Sequence, residues 1–160
     1  MAFARQKGSE PRFIHNRLHE LIREHIRSVR SLSLFYGVVA SDGSEITFIN
    51  SGAAYPILVR DGEARYLKFG GGPLGGGEPE FQRVKVKLKE GDAFVIVTDG
   101  LVTQKNRYTV ELGLSRVMEF LSKEFDSPDE IADSLIAYAD EFTGGVVRKE
   151  DVSIIALRVG

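Results

Sequence analysis

Residues 93–98 read AFVIVT, a run apolar at nearly every position. Such a run is comfortable only as a strand covered on both faces, so it marks the centre of a sheet. The segments before it supply the neighbours. FQRVKVKLK alternates cleanly, with Phe81, Val84, Val86 and Leu88 separated by polar residues, which predicts a strand with one buried and one wet face. LSLFYGVVA and EITFIN are rich in β-branched and aromatic residues and are joined by SDGS, while PILVR and ARYLKF flank DGE. An Asp-Gly pair between two such runs is the strongest short-range hairpin signal. Two hairpins are therefore expected.

Helical periodicity appears at both ends of this β-rich stretch. In FIHNRLHELIREHIRSV, the residues Ile14, Leu18, Leu21, Ile22, Ile26 and Val29 recur at spacings of three and four and form one face. Ser9 is read as its cap, with Pro11 in the first turn. LGLSRVMEFLSKEF carries Leu114, Val117, Met118 and Leu121 on one stripe. SPDEIADSLIAYADEF opens with Ser127 as cap, Pro128 at the first helical position and Glu130 as the capping-box partner. VSIIALRV is a final strand. The order helix, about six strands, two helices, strand predicts an α+β domain with a mostly antiparallel sheet system. No linker divides the chain, so residues 1–160 are read as one domain.

Composition narrows the chemistry. The chain has no cysteine, which excludes disulfides, thiolate catalysis and zinc–thiolate sites. The net charge of -2, with basic residues spread among acids, lacks the footprint of a nucleic-acid binder. No apolar run reaches the roughly 20 residues of a membrane helix, and the opening MAFARQKGSEP has no signal-peptide core. A soluble, cytoplasmic domain is expected.

Three Asp-Gly pairs occur, and hairpin geometry accounts for Asp42-Gly43 and Asp61-Gly62. Asp99-Gly100 differs, because it ends the most apolar strand and LVTQKNRYT leads on towards a helix. A carboxylate at the end of a buried strand that loses its hydration must be paired, hydrogen-bonded or metal-bound. A turn or helix cap and a metal site both remain open for Asp99. Glu150 and Asp151 immediately precede the last strand; if that strand lies beside AFVIVT, these acids meet Asp99 at one sheet edge. Two carboxylates ~4 Å apart repel by about 4 kcal/mol at an effective dielectric of 20. A hard cation such as magnesium or manganese relieves that repulsion. Alternatively, Glu150 and Asp151 solvate a turn, with Arg148 and Lys149 as partners.

At this point LKEGDAFVIVTDGLVTQKN resembles the signature segment of stage II sporulation E-like phosphatases, the bacterial branch of the metal-dependent PPM protein phosphatases. ITFINSGAAYPILVRDGE is similar to that family's NAGH-P hairpin, and GGGPLG to its glycine-proline-leucine-glycine loop. VELGLSRVMEFL resembles the helix after the signature, and EDVSIIALRV the closing strand. The resemblance implies a β-sandwich of two antiparallel sheets flanked by helices. It also implies hydrolysis of phosphoserine or phosphothreonine on a regulatory partner protein, such as an anti-sigma antagonist-like domain, with two Mn2+ or Mg2+ ions. By the same resemblance Asp99 falls at a metal-ligand position and Gly100 permits the tight turn behind it. Glu150 and Asp151 fall at the closing acidic pair.

The chain departs from this pattern at several positions. The family's early glycine-aspartate element, whose aspartate bridges both metals, has no counterpart, and MAFARQK resembles a remnant of the family's first helix. Glu150 replaces an aspartate, Ala53 stands at the histidine of NAGH, and Gln104 at the signature's glutamate. From the surviving ligands a bridged binuclear site is not expected within one chain. Two functions are consistent with these departures: a metal-dependent phosphatase whose remaining ligands come from elsewhere, and a non-catalytic relative that binds a regulatory partner. Missing N-terminal strands would leave an exposed sheet edge and favour a homodimer.

Two further features are read as structural. His15, His19 and His25 lie among arginines and glutamates and are expected on a solvated helix face, although His15 and His19 have metal-ligand spacing. Residues 70–77, within GGGPLGGGEPE, lack the lysine and hydroxyl of a nucleotide loop and are read as a flexible connection.

Overall fold

The computed structural model describes residues 10–25, 32–75 and 81–160. Ser9, Ile26, Val29, Gly76, Gly77 and the segment MAFARQK lie outside them. Two compact units emerge: the described residues up to Ala53 with Phe69–Lys89, and Ala54–Lys68 with Glu90–Gly160.

The first unit pairs one helix with a three-stranded sheet. Helix α1 (Pro11–His25) lies against β1 (Leu34–Val39) and β2 (Glu45–Ser51). Strand β5 (Val84–Lys87) completes the antiparallel order β1-β2-β5. The predicted first hairpin is β1–β2, and the Asp42 carboxylate closes its loop by accepting from the Ser44 N–H and hydroxyl at 3.0 and 2.7 Å. Phe48 and Ile49 of β2 are fully buried, as is Leu74 in the glycine-rich loop. That loop is partly tied down, since Leu32 and Leu74 exchange backbone hydrogen bonds of 2.9 and 2.8 Å.

One expectation fails here. His15 and His19 are 1% and 4% exposed and do not lie on a solvated face. The buried side of α1 is wider than its aliphatic stripe, because a ring one position along from Ile14 or Leu18 still reaches the packed face. The His15 ring sits 4.6 Å from that of Phe81, and His19 Nδ1 accepts from the Gly75 N–H at 3.3 Å. Burial holds the His15 imidazole below its ordinary pKa, and neighbouring His19 lowers it further against the Asn16 hydrogen bond. His25 is exposed as expected.

The second unit has the order β4-β3-β6-β7, all pairings antiparallel: β3 (Ile57–Arg60), β4 (Glu63–Tyr66), β6 (Ala93–Val97) and β7 (Ile154–Arg158). The β3–β4 hairpin turns on two residues, Asp61 and Gly62, with φ of 52° and 73°. This is the positive-φ turn that suits the strand twist. The AFVIV run is an interior strand, with Val95 and Val97 at 0% and 3% exposure. At its start, buried Asp92 receives Arg60 Nε and Nη2 at 2.9 and 2.5 Å, joining β3 to β6.

Helix α2 (Asp99–Val102) follows β6 directly, then come α3 (Gly113–Leu121) and α4 (Pro128–Thr143). Val117, Leu121, Ile131, Leu135 and Ala139 bury their side chains with Ile57 and Val95 of the sheet. Phe120 and Tyr138 stack at 4.5 Å between α3 and α4. Ser127 caps α4 by accepting from the Glu130 N–H at 3.1 Å, as its sequence predicts. The Glu130 carboxylate reaches back one residue further than a capping box, to the Asp126 N–H. No helix among the described residues is long and apolar enough to cross a membrane.

Candidate functional site at the end of the central strand

The antiparallel register places Val97 opposite Ile154, so the chain leaves β6 beside the segment entering β7. Thr98 locks this junction. Its N–H donates to the Ser153 carbonyl at 3.0 Å, and its hydroxyl oxygen accepts from the Ser153 N–H at 2.9 Å. Asp99 then opens α2, where its carbonyl accepts from both the N–H and the hydroxyl of Thr103 at 2.9 Å. The same hydroxyl lies 3.4 Å from Glu150 Oε2, linking the two acidic positions through one side chain.

Gly100 explains why glycine follows the aspartate. A Cβ built there would lie 2.2 Å from the Asp151 carbonyl oxygen and 3.2 Å from the Glu150 Cβ. The sequence-predicted residues Asp99, Gly100, Glu150 and Asp151 thus share one end of the sheet.

Their environment differs from the expectation in one respect. Asp99, Glu150 and Asp151 are all exposed, because strand burial ends at Val97 and Thr98 already faces solvent. Loss of hydration therefore does not act on Asp99. Its charge instead reaches Tyr66, whose phenol is pushed above its ordinary value first by burial and in smaller part by Asp99. Tyr66 belongs to β4, and no periodicity in the sequence links it to Asp99.

The donors match hard divalent cations in type but fall short in number. Carboxylate oxygens suit magnesium or manganese. Yet among the described residues no three His, Cys, Asp or Glu side chains come together as an ion-holding group. Two other positions of the sequence pattern have different roles here. Ala53 closes a turn in the first unit, its N–H donating to Asn50 Oδ1 and its carbonyl accepting from Asn50 Nδ2, both at 3.0 Å. Gln104 is 7% exposed, and both its amide nitrogen and its amide oxygen lack a partner among the described residues.

The segment after α2 leads on to α3, as the sequence suggests, through a loop that closes on itself. Asn106 Oδ1 accepts from the N–H groups of Tyr108 and Val110 at 3.0 and 3.1 Å, and Lys105 bridges to Glu111. Thr109 takes a positive φ of 62° within this ring. Arg148 pairs with Asp140 on α4, so it does not neutralise the acids beside it in sequence.

Comparison with known proteins accords with this geometry. The model of the family described as Stage II sporulation protein E (SpoIIE) matches residues 1–160. Among solved structures, the SiaA-PP2C domain of Pseudomonas aeruginosa superposes with a TM-score of 0.80 at 21% identity, covering 99% of this chain and 65% of that one. A structure of the PP2C phosphatase domain and a regulatory-domain fragment of SpoIIE from Bacillus subtilis gives a TM-score of 0.81 at 17% identity. There the coverage is 99% of this chain and 47% of that one. Among curated proteins, Protein IcfG of Synechocystis sp. is 26% identical over an alignment of 141 residues, and the match covers 84% of this chain and 22% of that protein. The chain thus spans less than two thirds of each of these relatives. It belongs to the stage II sporulation protein E family and has the antiparallel-sheet and helix fold of PP2C phosphatase domains.

Proposed function

We propose that the chain carries one side of the metal centre of a cytoplasmic phosphoserine/phosphothreonine phosphatase that acts on a regulatory partner protein. Asp99, Glu150 and Asp151 are the acids of that side. The observation that carries the reading is the junction of β6 and β7, where Gly100 lets the backbone of Asp151 approach and Thr103 ties Asp99 to Glu150. A Mn2+ or Mg2+ ion held there would polarise a phosphoryl oxygen and lower the pKa of a water molecule. The acids fall short of a complete donor set, so the remaining ligands come from outside the described residues, from another segment or from a second chain. Strand β7 is an edge of its sheet and exposes Ile155 and Leu157, which supports edge-to-edge dimerisation as one route.

A second reading is favoured by that same shortage of donors: a phosphatase-fold module without catalysis that binds a regulatory partner. Manganese-dependent hydrolysis of an aryl phosphate separates the two when the chain is compared with Asp99→Asn. Activity that requires manganese and is lost in the variant supports the phosphatase. No hydrolysis by either protein at millimolar manganese, with the fold intact by circular dichroism, selects the binding module. A strictly monomeric chain by light scattering at high concentration would remove the dimer route.

A further inference from the structure

A cavity of about 570 Å³ opens beside α2 within the second unit, and one end of it is the candidate metal-binding end itself, since Gly100, Thr103 and Glu150 line it. Its other walls come from residues 105–111, after α2, and residues 143–149, before β7. Each wall is held by its own contacts. The first closes on the Asn106 carboxamide, and Lys105 pairs with Glu111 at 3.3 Å. On the second, the Thr143 hydroxyl donates to the Asp140 carbonyl at 2.9 Å, and Arg148 pairs with the Asp140 carboxylate. A groove whose walls are already ordered loses little freedom on binding.

Charge and apolar surface indicate the occupant. In the proposed function, on which this inference rests, the Glu150 charge is taken up by the divalent ion and so does not oppose an anion beside it. The two walls then present Arg107 and Lys149, both exposed. Among the described residues neither has an ion-pair partner, and Arg107 has only the Tyr108 ring, 5.1 Å from its guanidinium carbon. Four of the nine large hydrophobic residues exposed among the described ones belong to the same two segments: Tyr108 and Val110 to the first, Val146 and Val147 to the second. Tyr108 is 70% and Val147 85% exposed. Apolar side chains gathered in this way mark an interaction surface. Tyr108 and Val110 lie outside the cavity lining, so an occupant that covers them must be longer than the cavity.

We propose that this groove receives an extended segment of the phosphorylated partner protein and selects an acidic side chain near the phosphoresidue, with an apolar one beyond it. The acid pairs with Arg107 and Lys149, and the apolar side chain packs on Tyr108 and Val147. A compact space of about 570 Å³ is roughly 8 Å across, the reach of about two extended residues. The acid therefore falls within about two positions of the phosphoresidue.

Fluorescence anisotropy with labelled peptides, in manganese and low salt, tests this without requiring turnover. The first peptide carries a non-hydrolysable phosphonate analogue of phosphoserine, an aspartate two positions away and a leucine beyond it. The second has asparagine for the aspartate, and the third has serine for the phosphonate residue. The aspartate peptide should bind about fivefold tighter than the asparagine peptide, as two surface ion pairs allow, and added salt should shrink the difference. The double variant Arg107→Ala with Lys149→Ala should lose that preference. Val147→Ser should weaken both phosphonate peptides about threefold or more, by loss of apolar contact, and keep their ratio. All three positions are exposed, so these changes should leave the fold intact. Equal affinity for the aspartate and asparagine peptides, a preference undiminished in the double variant, unchanged binding by Val147→Ser, or no binding of any peptide would each overturn the proposal. The third peptide separates the underlying reading. If it binds as tightly as the first, with and without manganese, the metal-centred reading falls, and the aspartate preference alone decides the groove.

Discussion

The carbonyl oxygen of Asp151 occupies the space that a Cβ on residue 100 would need, 2.2 Å from its ideal position. A backbone atom is not free to swing aside, so any side chain at residue 100 must push the start of β7 away from α2. Gly100→Ala should therefore destabilise the chain by about 1–3 kcal/mol, the usual cost of overpacking. The same shift should loosen the Thr103 link between Asp99 and Glu150. Urea unfolding followed by circular dichroism measures the first effect, and a midpoint equal to that of the parent chain would contradict the close approach.

Asp92 and Arg60 form the other contact on which the second unit depends. The Asp92 side chain is 3% exposed and receives Arg60 through two nitrogens, while Arg60 keeps 28% exposure. The guanidinium is held above its ordinary value, chiefly by that hydrogen bond. Removing Arg60 takes the counter-charge from the buried Asp92 carboxylate, so Arg60→Met should cost about 3 kcal/mol. The paired change Arg60→Met with Asp92→Leu should recover part of that loss, because both charges leave together. A double-mutant cycle measures the coupling, and additive effects would show the pair to be energetically independent.

His15 makes the first unit sensitive to acid. Its folded pKa lies below the 6.5 of a free imidazole, so the unfolded chain binds the proton more readily. Stability from this group is complete above pH 6.5 and falls as pH drops through the lowered folded value. Between pH 7 and pH 5 the urea midpoint should fall, and His15→Gln should flatten that slope. A parallel pH dependence in parent and variant would exclude His15 as the source.

Much of the fold is legible in short stretches of the chain. Asp61-Gly62 requires two positive φ angles and so announces its hairpin, and Ser127-Pro128 announces the start of α4 through cap chemistry alone. The AFVIVT run, apolar on both faces, could only be interior. Each of these signals depends on residues within a few positions of one another. The candidate site was half legible: Asp99 stood out because it ended that run, and its meeting with Glu150 and Asp151 depended on a pairing the sequence only suggested.

What the sequence determined by itself is therefore local: element type, hairpin turns, the helix cap, and the presence of an acid-glycine pair after the central strand. Tertiary structure alone decided that β7 pairs with β6, which brings residues separated by some fifty positions to one edge. It also decided that Asp99 stays hydrated, that His15 and His19 turn inward, and that the Gln104 amide is sealed without a partner among the described residues. Burial is a property of what packs against a residue, and those neighbours come from distant parts of the chain. Periodicity records which face of an element is apolar, but only packing sets how wide the covered face is and where solvent begins.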